Sequence, residues 1–441
     1  MVKMYAWSSY PAGNELCRNR TELRFSVRGF GHALFYLHIV IATVLQYNYI
    51  GEIQNATFYG GVTMKFIHIS DLHLGKRVNE FSMLEDQEYI LTKIINIIDE
   101  QKPEGVIIAG DVYDKSVPSA EAVELFDEFL VRLSKRNLKV FVISGNHDSA
   151  ERIAFGGRLM DKSGIYMSPV YNGNVEPIAL TDSFGDLNIY MLPFVKPSNV
   201  RRFYPDSEIV SYTDAVKTTI DAMNVDTSKR NVLITHQFVT GAIRTESEDV
   251  SVGGTDNVDA SVFSEFDYVA LGHIHRSQKC GGGEFIRYSG TPLKYSFSEA
   301  NDNKSVTVVD IKAKGEIVLD FIPLVPKRDM VEIKGTYEEL TLKSFWENTS
   351  YNEDYIHITL TDEEDIPDVL TKLRVIYKNI MKLDYDNRRT RTANEINGAE
   401  NVKEKSPFEH FSEFYELQNG QPLSEEQSAF VIDIIEKIWE G

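Results

Sequence analysis

The sequence predicts a layered α/β domain joined to a smaller α+β domain and closed by two helices, all within 441 residues. Three observations predict it. Short apolar runs end in Gly or Ser and then a polar residue, as buried parallel strands do; Val106 to Ala109, followed by Gly110 and Asp111, is the clearest. Amphipathic helical stretches alternate with those runs, which gives a βαβαβ order. From Pro323 to Lys327 the pattern loosens, and short strands and capping boxes beyond it mark a second unit.

In chain order, Lys65–Ser70 is the first strand. Glu85–Glu100 is a helix because Ile90, Leu91, Ile94, Ile95 and Ile98 share one face. The strand at 106–110 follows, then a helix near Ser119–Lys135 with Val123, Phe126, Leu130 and Leu133 turned inward, then the strand Lys139–Ser144. Further strands are expected at Asn188–Leu192, Val232–Thr235, Tyr268–Leu271, Ser305–Ile311 and Glu316–Ile322. The last two flank a Lys-Gly turn and form a hairpin. In the second unit Val331–Ile333 and Ile356–Leu360 are strands, Thr336 and Glu339 form a capping box, and a helix begins near Pro367.

Two more capping boxes, Ser406-Pro407-Phe408-Glu409 and Ser424 with Gln427, open the terminal helices. Those helices carry Phe411, Phe414, Tyr415, Phe430, Val431, Ile434, Ile435 and Ile438. They pack either on their own domain or on a partner. Residues 387–405 are polar and without periodicity, which predicts a flexible linker. Residues 1–63 differ from the rest: few acidic residues, scattered arginines (Arg18, Arg20, Arg24, Arg28) and an apolar run, Ala33–Leu45, too short for a transmembrane helix. No clean signal-peptide cleavage site follows that run. A strand opens directly at Met64, so translation is expected to start there, with 1–63 a non-native or disordered extension. The expected organisation is 1–63 extension, 64–325 main domain, 326–386 small domain, 387–405 linker and 406–441 terminal helices.

The net charge of −20 gives no global basic field directed at nucleic acid, although a local basic groove is compatible with it. The two cysteines, Cys17 and Cys280, suggest neither a disulfide framework nor a thiolate metal site, and fit a reducing cytosol.

The chemistry sits at strand ends. Asp71 and His73 follow the first strand, Asp111 the second, Asn146, His147 and Asp148 the third. His236 follows VLIT, and His273 and His275 follow YVALG. Any one of these has an ordinary explanation as a turn cap or core histidine. Five of the ten histidines at one edge of a sheet do not. Imidazole, carboxylate and amide oxygen without thiolate suit octahedral Mn²⁺, Fe or Zn rather than a structural zinc. The donors suffice for two ions sharing one carboxylate, about 3.5–4 Å apart, which can clamp a phosphate for in-line attack by water. Asn146 can bind through its amide oxygen. His147 then faces the substrate as proton donor or charge stabiliser, and Asp148 is expected to orient the His147 ring.

D-x-H, G-D-x-x-D, G-N-H-D, a single His and G-H-x-H in this order resemble the calcineurin-like metallophosphoesterases. The resemblance implies a β-sandwich flanked by helices. It implies one metal on Asp71, His73, Asp111 and His275, and another on Asp111, Asn146, His236 and His273. The stretches ISDLHLGKR (69–77), GDVYDKSVPS (110–119), SGNHDSAER (144–152), MLPFVKP (191–197), ALGHIHRSQ (270–278) and YSGTPLKYSFSE (288–299) are more narrowly similar to the SbcD family of bacterial nuclease subunits. That similarity implies a nuclease using two Mn²⁺, with Mg²⁺, Fe or Zn as alternatives. It would cleave double-stranded and hairpin DNA in recombination, replication and repair, in the cytoplasm at the nucleoid and without a membrane. The partner would be an SbcC-like coiled-coil ATPase gripped by the terminal helices, with the small domain capping DNA. Two copies would pair as a homodimer within a heterotetramer. No G-x-x-x-x-G-K-[ST] loop occurs here, so ATP would act only through the partner. Eukaryotic and archaeal relatives carry a His three residues after the bridging Asp; this chain has Asp114, whose role stays open. Two alternatives differ in class: a stand-alone phosphatase or small phosphodiesterase, and a scaffold that only positions DNA.

Overall fold

The computed structural model describes residues 63–248, 256–388, 390, 406–419 and 422–439. The expectations for 1–62, including a start at Met64, and for most of the 387–405 linker lie outside the described residues.

In chain order the main domain contains β1 (Met64–Ile69), α1 (Leu84–Gln101), β2 (Gly105–Ala109), α2 (Ala120–Ser134), β3 (Lys139–Ile143), β4 (Ile165–Met167), β5 (Ile178–Asp182) and β6 (Gly185–Leu192). It continues with α3 (Tyr212–Met223), β7 (Arg230–His236), β8 (Tyr268–Gly272), β9 (Gln278–Lys279), β10 (Ile286–Tyr288), β11 (Ser305–Ile311) and β12 (Ile317–Pro323). Two six-stranded sheets form, ordered β12-β11-β1-β2-β3-β4 and β9-β10-β8-β7-β6-β5. The period-2 alternation of strand side chains explains how they stack. Phe66, Ile107, Phe141 and Val309 of the first sheet meet Ile189, Val232, Ile234, Tyr268 and Ala270 of the second in one inner cluster. The alternate residues Ile67, Ile69, Val106, Ile108, Val140 and Val142 face outward into α1 and α2. On the far side Leu192, Leu233, Val269 and Leu271 meet Ala215, Val216 and Ile220 of α3. The product is the expected β-sandwich flanked by helices.

The five inward residues predicted for α1 are all buried. In α2 one expectation is corrected: Val123 is 43 % exposed, while Ala122 and Phe129 join Phe126, Leu130 and Leu133 on the inner face. The hairpin forms as expected, with Ile311 opposite Ile317. The short strands β4, β5 and β10 carry too few residues to show a period. α3 is announced by Ser211 and Asp214, a capping box that the structure closes with reciprocal bonds.

The small domain holds β13 (Met330–Gly335), α4 (Tyr337–Thr341), β14 (Tyr355–Leu360), α5 (Val369–Leu373) and β15 (Asn379–Tyr385). The capping box at Thr336 and Glu339 is present. Its three strands pair in parallel, so this unit, expected as α+β, is joined by helix-bearing crossovers. It has its own core of Ile333, Leu340, Ile356, Ile358, Leu360, Leu373, Tyr377 and Ile380. Met330 and Tyr355 instead join the core of the main domain. Asn387, expected to start the linker, is buried and donates through Nδ2 to the carbonyl of Asp362 (3.1 Å), so the small domain holds it.

The terminal helices α6 (Pro407–Asn419) and α7 (Glu425–Trp439) touch through Gln427 Nε2, which donates to the Tyr415 hydroxyl (3.1 Å). Phe414 and Phe430 are 61 % and 64 % exposed, and Phe411, Ile432 and Ile434 are exposed as well. Among the described residues no helix is long and apolar enough to cross a membrane.

Candidate metal centre

The ligand-bearing strand ends, expected at one edge of one sheet, are divided between the two sheets, and parallel register within each sheet aligns them at one end of the sandwich. Ile69 pairs with Ile108, Ala109 with Ile143, and Gly272 with His236. The loops past β1 and β2 stay paired: Asp71 N donates to the Gly110 carbonyl (3.0 Å) and His73 N to the Asp111 carbonyl (3.0 Å). Glycine permits close approach both between the two sheets and between neighbouring loops of the first. A Cβ on Gly272 would lie 1.9 Å from the Ala109 carbonyl oxygen, and one on Gly145 would lie 2.1 Å from Asp111 Oδ1. Asp71 (φ 53°), His73 (φ 45°), Asp111 (φ 48°) and His273 (φ 103°) all adopt positive φ. For non-glycine residues that conformation is disfavoured and persists where surrounding structure imposes it, often at functional sites.

Every predicted ligand reaches this end of the sandwich. Asn146 Oδ1 lies 3.0 Å from His236 Nε2 and 2.9 Å from His273 Nδ1. His73 Nε2 lies 3.0 Å from His275 Nε2. Asp111 Oδ2 stands between the groups, 3.3 Å from His236 Nε2 and 3.7 Å from His73 Nε2. Asp71 belongs with both, grouping with His73 and His275 and with Asp111 and His236. Its Oδ1 accepts from His273 N (2.9 Å), and its Oδ2 accepts from Ser70 Oγ.

The residues fit two cations. His236 Nδ1 faces the Ala109 carbonyl at 2.8 Å, an acceptor, so that nitrogen carries the proton. Neutral His236 therefore turns an Nε2 lone pair onto the lone pairs of Asn146 and Asp111. Ser247 Oγ donates to Glu299 Oε1 (2.5 Å) and so accepts from His275 Nδ1 (2.6 Å), which leaves His275 Nε2 as an inward lone pair. Ligating histidines are oriented in this way, by donating the other ring N–H. Octahedral ligands about 2.1 Å from an ion lie about 3 Å from one another, and the Asn146–His236, Asn146–His273 and His73–His275 pairs have that spacing.

Electrostatics agree. Burial holds His73 and His275 well below the usual imidazole range and pushes His273 down to about 3, so all three are neutral donors. Burial opposes charge on His236 too, but Asp111 and Asp71 raise it to about 9. Burial likewise raises Asp71. Without cations, protons occupy the place where positive charge is needed. A divalent cation held by His236 and Asp71 would displace their protons, so its affinity should rise with pH up to about 9 and protons should be released on binding. Calorimetric titration at neutral pH, in two buffers of different ionisation enthalpy, checks this. Binding without proton release would contradict the assignment of His236.

Asp148 departs from expectation. Its Oδ1 accepts from Tyr113 N (2.9 Å), and its Oδ2 from Val112 N (3.1 Å) and Gly145 N (2.9 Å). Through these three bonds it braces the backbone around Asp111 and Gly145. The His147 ring is set by Nδ1, which donates to the Asp114 carbonyl (3.0 Å). Its Nε2 lies 3.9 Å from Asp111 Oδ2, with the side chain 17 % exposed. His147 also groups with His73 and Asp111 closely enough to share an ion. The Asp114 carboxylate pairs with Lys76 Nζ at 2.7 Å.

Several contributors escape sequence reasoning. Ser247 and Glu299 orient His275, Glu248 Oε1 accepts from His275 N (2.6 Å), and Lys304 Nζ donates to the His275 carbonyl (2.9 Å). Phe194 stacks on His273 with ring centroids 6.4 Å apart. Glu299 and Phe194 lie in the stretches 288–299 and 191–197, which mark them only as neighbours of a site. Ser247, Glu248 and Lys304 leave no pattern.

Comparison with known proteins agrees with the geometry. Residues 64–277 match the family model described as calcineurin-like phosphoesterase. Residues 326–419 match the one described as type 5 capsule protein repressor C-terminal domain. The chain is similar to the SbcD subunit of the nuclease SbcCD from Staphylococcus epidermidis, 34 % identical over 83 % of this chain and 96 % of that protein. It is 35 % identical to the same subunit from Staphylococcus saprophyticus, over 73 % of this chain and 84 % of that protein.

Proposed function

Since the chain belongs to the SbcD family of nuclease subunits, with the calcineurin-like metallophosphoesterase fold, we propose that it hydrolyses DNA phosphodiesters at double-stranded ends and hairpins. It does so with two Mn²⁺ ions, in complex with an SbcC-like coiled-coil ATPase. The observation that carries this reading is the convergence of inward lone pairs on either side of Asp111 Oδ2. Asp71, His73, Asp111 and His275 would hold one ion, and Asp111, Asn146, His236 and His273 the other. When bound, the pair supplies Lewis-acid charge to the phosphate and to an attacking water. The protein's own part is orientation and proton transfer. Ala109 and Ser247 fix the tautomers of His236 and His275. Asp148 holds the turn that presents Asn146. With Nδ1 donating to the Asp114 carbonyl, His147 has an Nε2 proton to give only as the imidazolium; in that form it would pass the proton to the departing oxygen and be left as the neutral Nδ1–H tautomer.

The exposed apolar residues of α6 and α7 support a partner contact, as an amphipathic helix pair laid against the coiled coil. Pairing of two copies into a heterotetramer, and action at the cytoplasmic nucleoid in recombination, replication and repair, belong to the same reading. Purified full-length chain with Mn²⁺ should cleave hairpin DNA, and the ATPase partner with ATP should stimulate it. A chain ending at residue 405 should still fold and bind Mn²⁺. It should fail to co-purify with the partner and lose the ATP stimulation, and Ile435→Asp should do the same. Hydrolysis of nucleotides or phosphoproteins without DNA cleavage would favour the stand-alone phosphatase. A truncation that lowers the melting temperature but keeps the partner would place the helices on their own domain.

A further inference from the structure

The first turn of α1 touches two parts of the molecule at once. Asp86 is fully buried, and its Oδ2 accepts from Arg328 Nη1 (2.8 Å) and from the Tyr355 hydroxyl (2.7 Å). Arg328 precedes β13 and Tyr355 opens β14, so both contacts come from the small-domain side. The next residue, Gln87, is also buried and turns to the metal centre. Its Nε2 donates to the His73 carbonyl (2.7 Å), and its Oε1 accepts from Gly75 N (3.0 Å). Gln87 Nε2 also donates to the Tyr295 hydroxyl (3.0 Å), which in turn donates to the Leu72 carbonyl (2.6 Å). The turn Leu72–Gly75, which presents His73 at φ 45°, is thus held by Gln87 and Tyr295 on one side, while His73 N and Leu74 N bond the carbonyls of Asp111 and Val112 on the other.

We infer that Gln87 is a positioning residue for His73, and that docking of the small domain through Arg328 and Tyr355 sets the affinity of the ion on the His73 side. The inference rests on the reading of His73 as a ligand. The route is short: Arg328 to Asp86, one peptide bond to Gln87, one hydrogen bond to the backbone of His73. Asp86 Oδ1 is buried with no hydrogen-bond partner, so Arg328 and Tyr355 carry the compensation of this carboxylate. Removing either leaves a buried charge under-compensated. The helix N-terminus offsets only part of that cost. Relief requires the first turn of α1 to open towards water, and Gln87 moves with it. His73, in a backbone conformation that a non-glycine residue leaves when released, then relaxes. The other ion is insulated, because Asn146, His236 and His273 are presented from β3, β7 and β8 without contact through Gln87. Displacement of the small domain is therefore felt at one ion.

Mn²⁺ alone, titrated calorimetrically into the full-length chain, tests this. The wild type should bind two ions. Tyr355→Phe and Arg328→Gln should each weaken one site by about tenfold, the scale for loss of a group that orients a ligand. It should be the site that His275→Ala removes, with the other affinity unchanged. Gln87→Leu should weaken the same site. Tyr377→Phe deletes a comparable buried hydroxyl inside the small-domain core, where it donates to the Leu340 carbonyl (2.6 Å). It should lower the melting temperature and leave both affinities at wild-type values. If Tyr355→Phe and Arg328→Gln lower the melting temperature as Tyr377→Phe does, with both Mn²⁺ affinities intact, the contact is structural only and the inference is overturned. A wild type that binds fewer than two ions would overturn the two-ion reading itself, a distinguishable result.

Discussion

Asp111→Asn should empty both metal positions and abolish nuclease activity, while leaving the chain folded. Asp111 Oδ2 lies between the two imidazole groups, at 3.3 Å from His236 Nε2 and 3.7 Å from His73 Nε2, closer to His236 than Asp71 Oδ1 is at 4.0 Å. Burial opposes ionisation there, yet His236 and His147 hold the carboxyl well below its usual range, so it is present as an anion. An amide of the same shape carries no charge to share between two cations. Metal affinity should fall by more than the roughly 10–100-fold typical of losing a group outside the ligand set. The substituted amide should keep the backbone contact that Asp111 Oδ1 makes by accepting from His147 N (2.9 Å). Metal analysis, a melting curve and hairpin cleavage on one preparation check it. Full metal occupancy with wild-type turnover would remove Asp111 from the shared position.

His147→Ala should behave oppositely, keeping both ions while losing roughly 10²–10⁴ in rate, the usual worth of a positioned proton donor. The geometry makes this discriminating. His147 groups with His73 and Asp111 closely enough to be a ligand, but its Nε2 stands 3.9 Å from Asp111 Oδ2, whereas His236 is at 3.3 Å. Its side chain is also 17 % exposed, so a substrate can reach it. Loss of one ion from the purified variant would move His147 into the ligand set and leave the proton donor unassigned.

The ligands are legible in the sequence because each terminates an apolar run, and strands of one parallel sheet deliver their ends to one edge. Asp71, Asp111 and Asn146, which follow neighbouring strands of the first sheet, need only that rule. Convergence of the second sheet on the first depends on glycine clearances at Gly110, against His236, and at Gly272, against Ala109, which no periodicity displays. Asp148 lies beside the expected residue but serves a different partner. A carboxylate in a tight turn can bind backbone N–H groups as readily as a neighbouring ring, and Asp148 accepts from three of them. The helical pattern turns Val123 inward, whereas the small Ala122 fills that position against the sheet. The groups that orient ligands are not legible. Gln87 and Tyr295 stand 208 positions apart, and Ser247 and Glu299 stand 52 apart, so only the fold brings them together. The lone Arg328 and Tyr355 likewise gain meaning only from a buried Asp86.

Anomalous diffraction at the manganese edge from crystals grown with Mn²⁺ tests the two-ion centre most directly. The account predicts two peaks about 3.5–4 Å apart on either side of Asp111 Oδ2. One should be ringed by Asp71, His73 and His275, the other by Asn146, His236 and His273. A single peak, or a peak coordinated by His147, would contradict it.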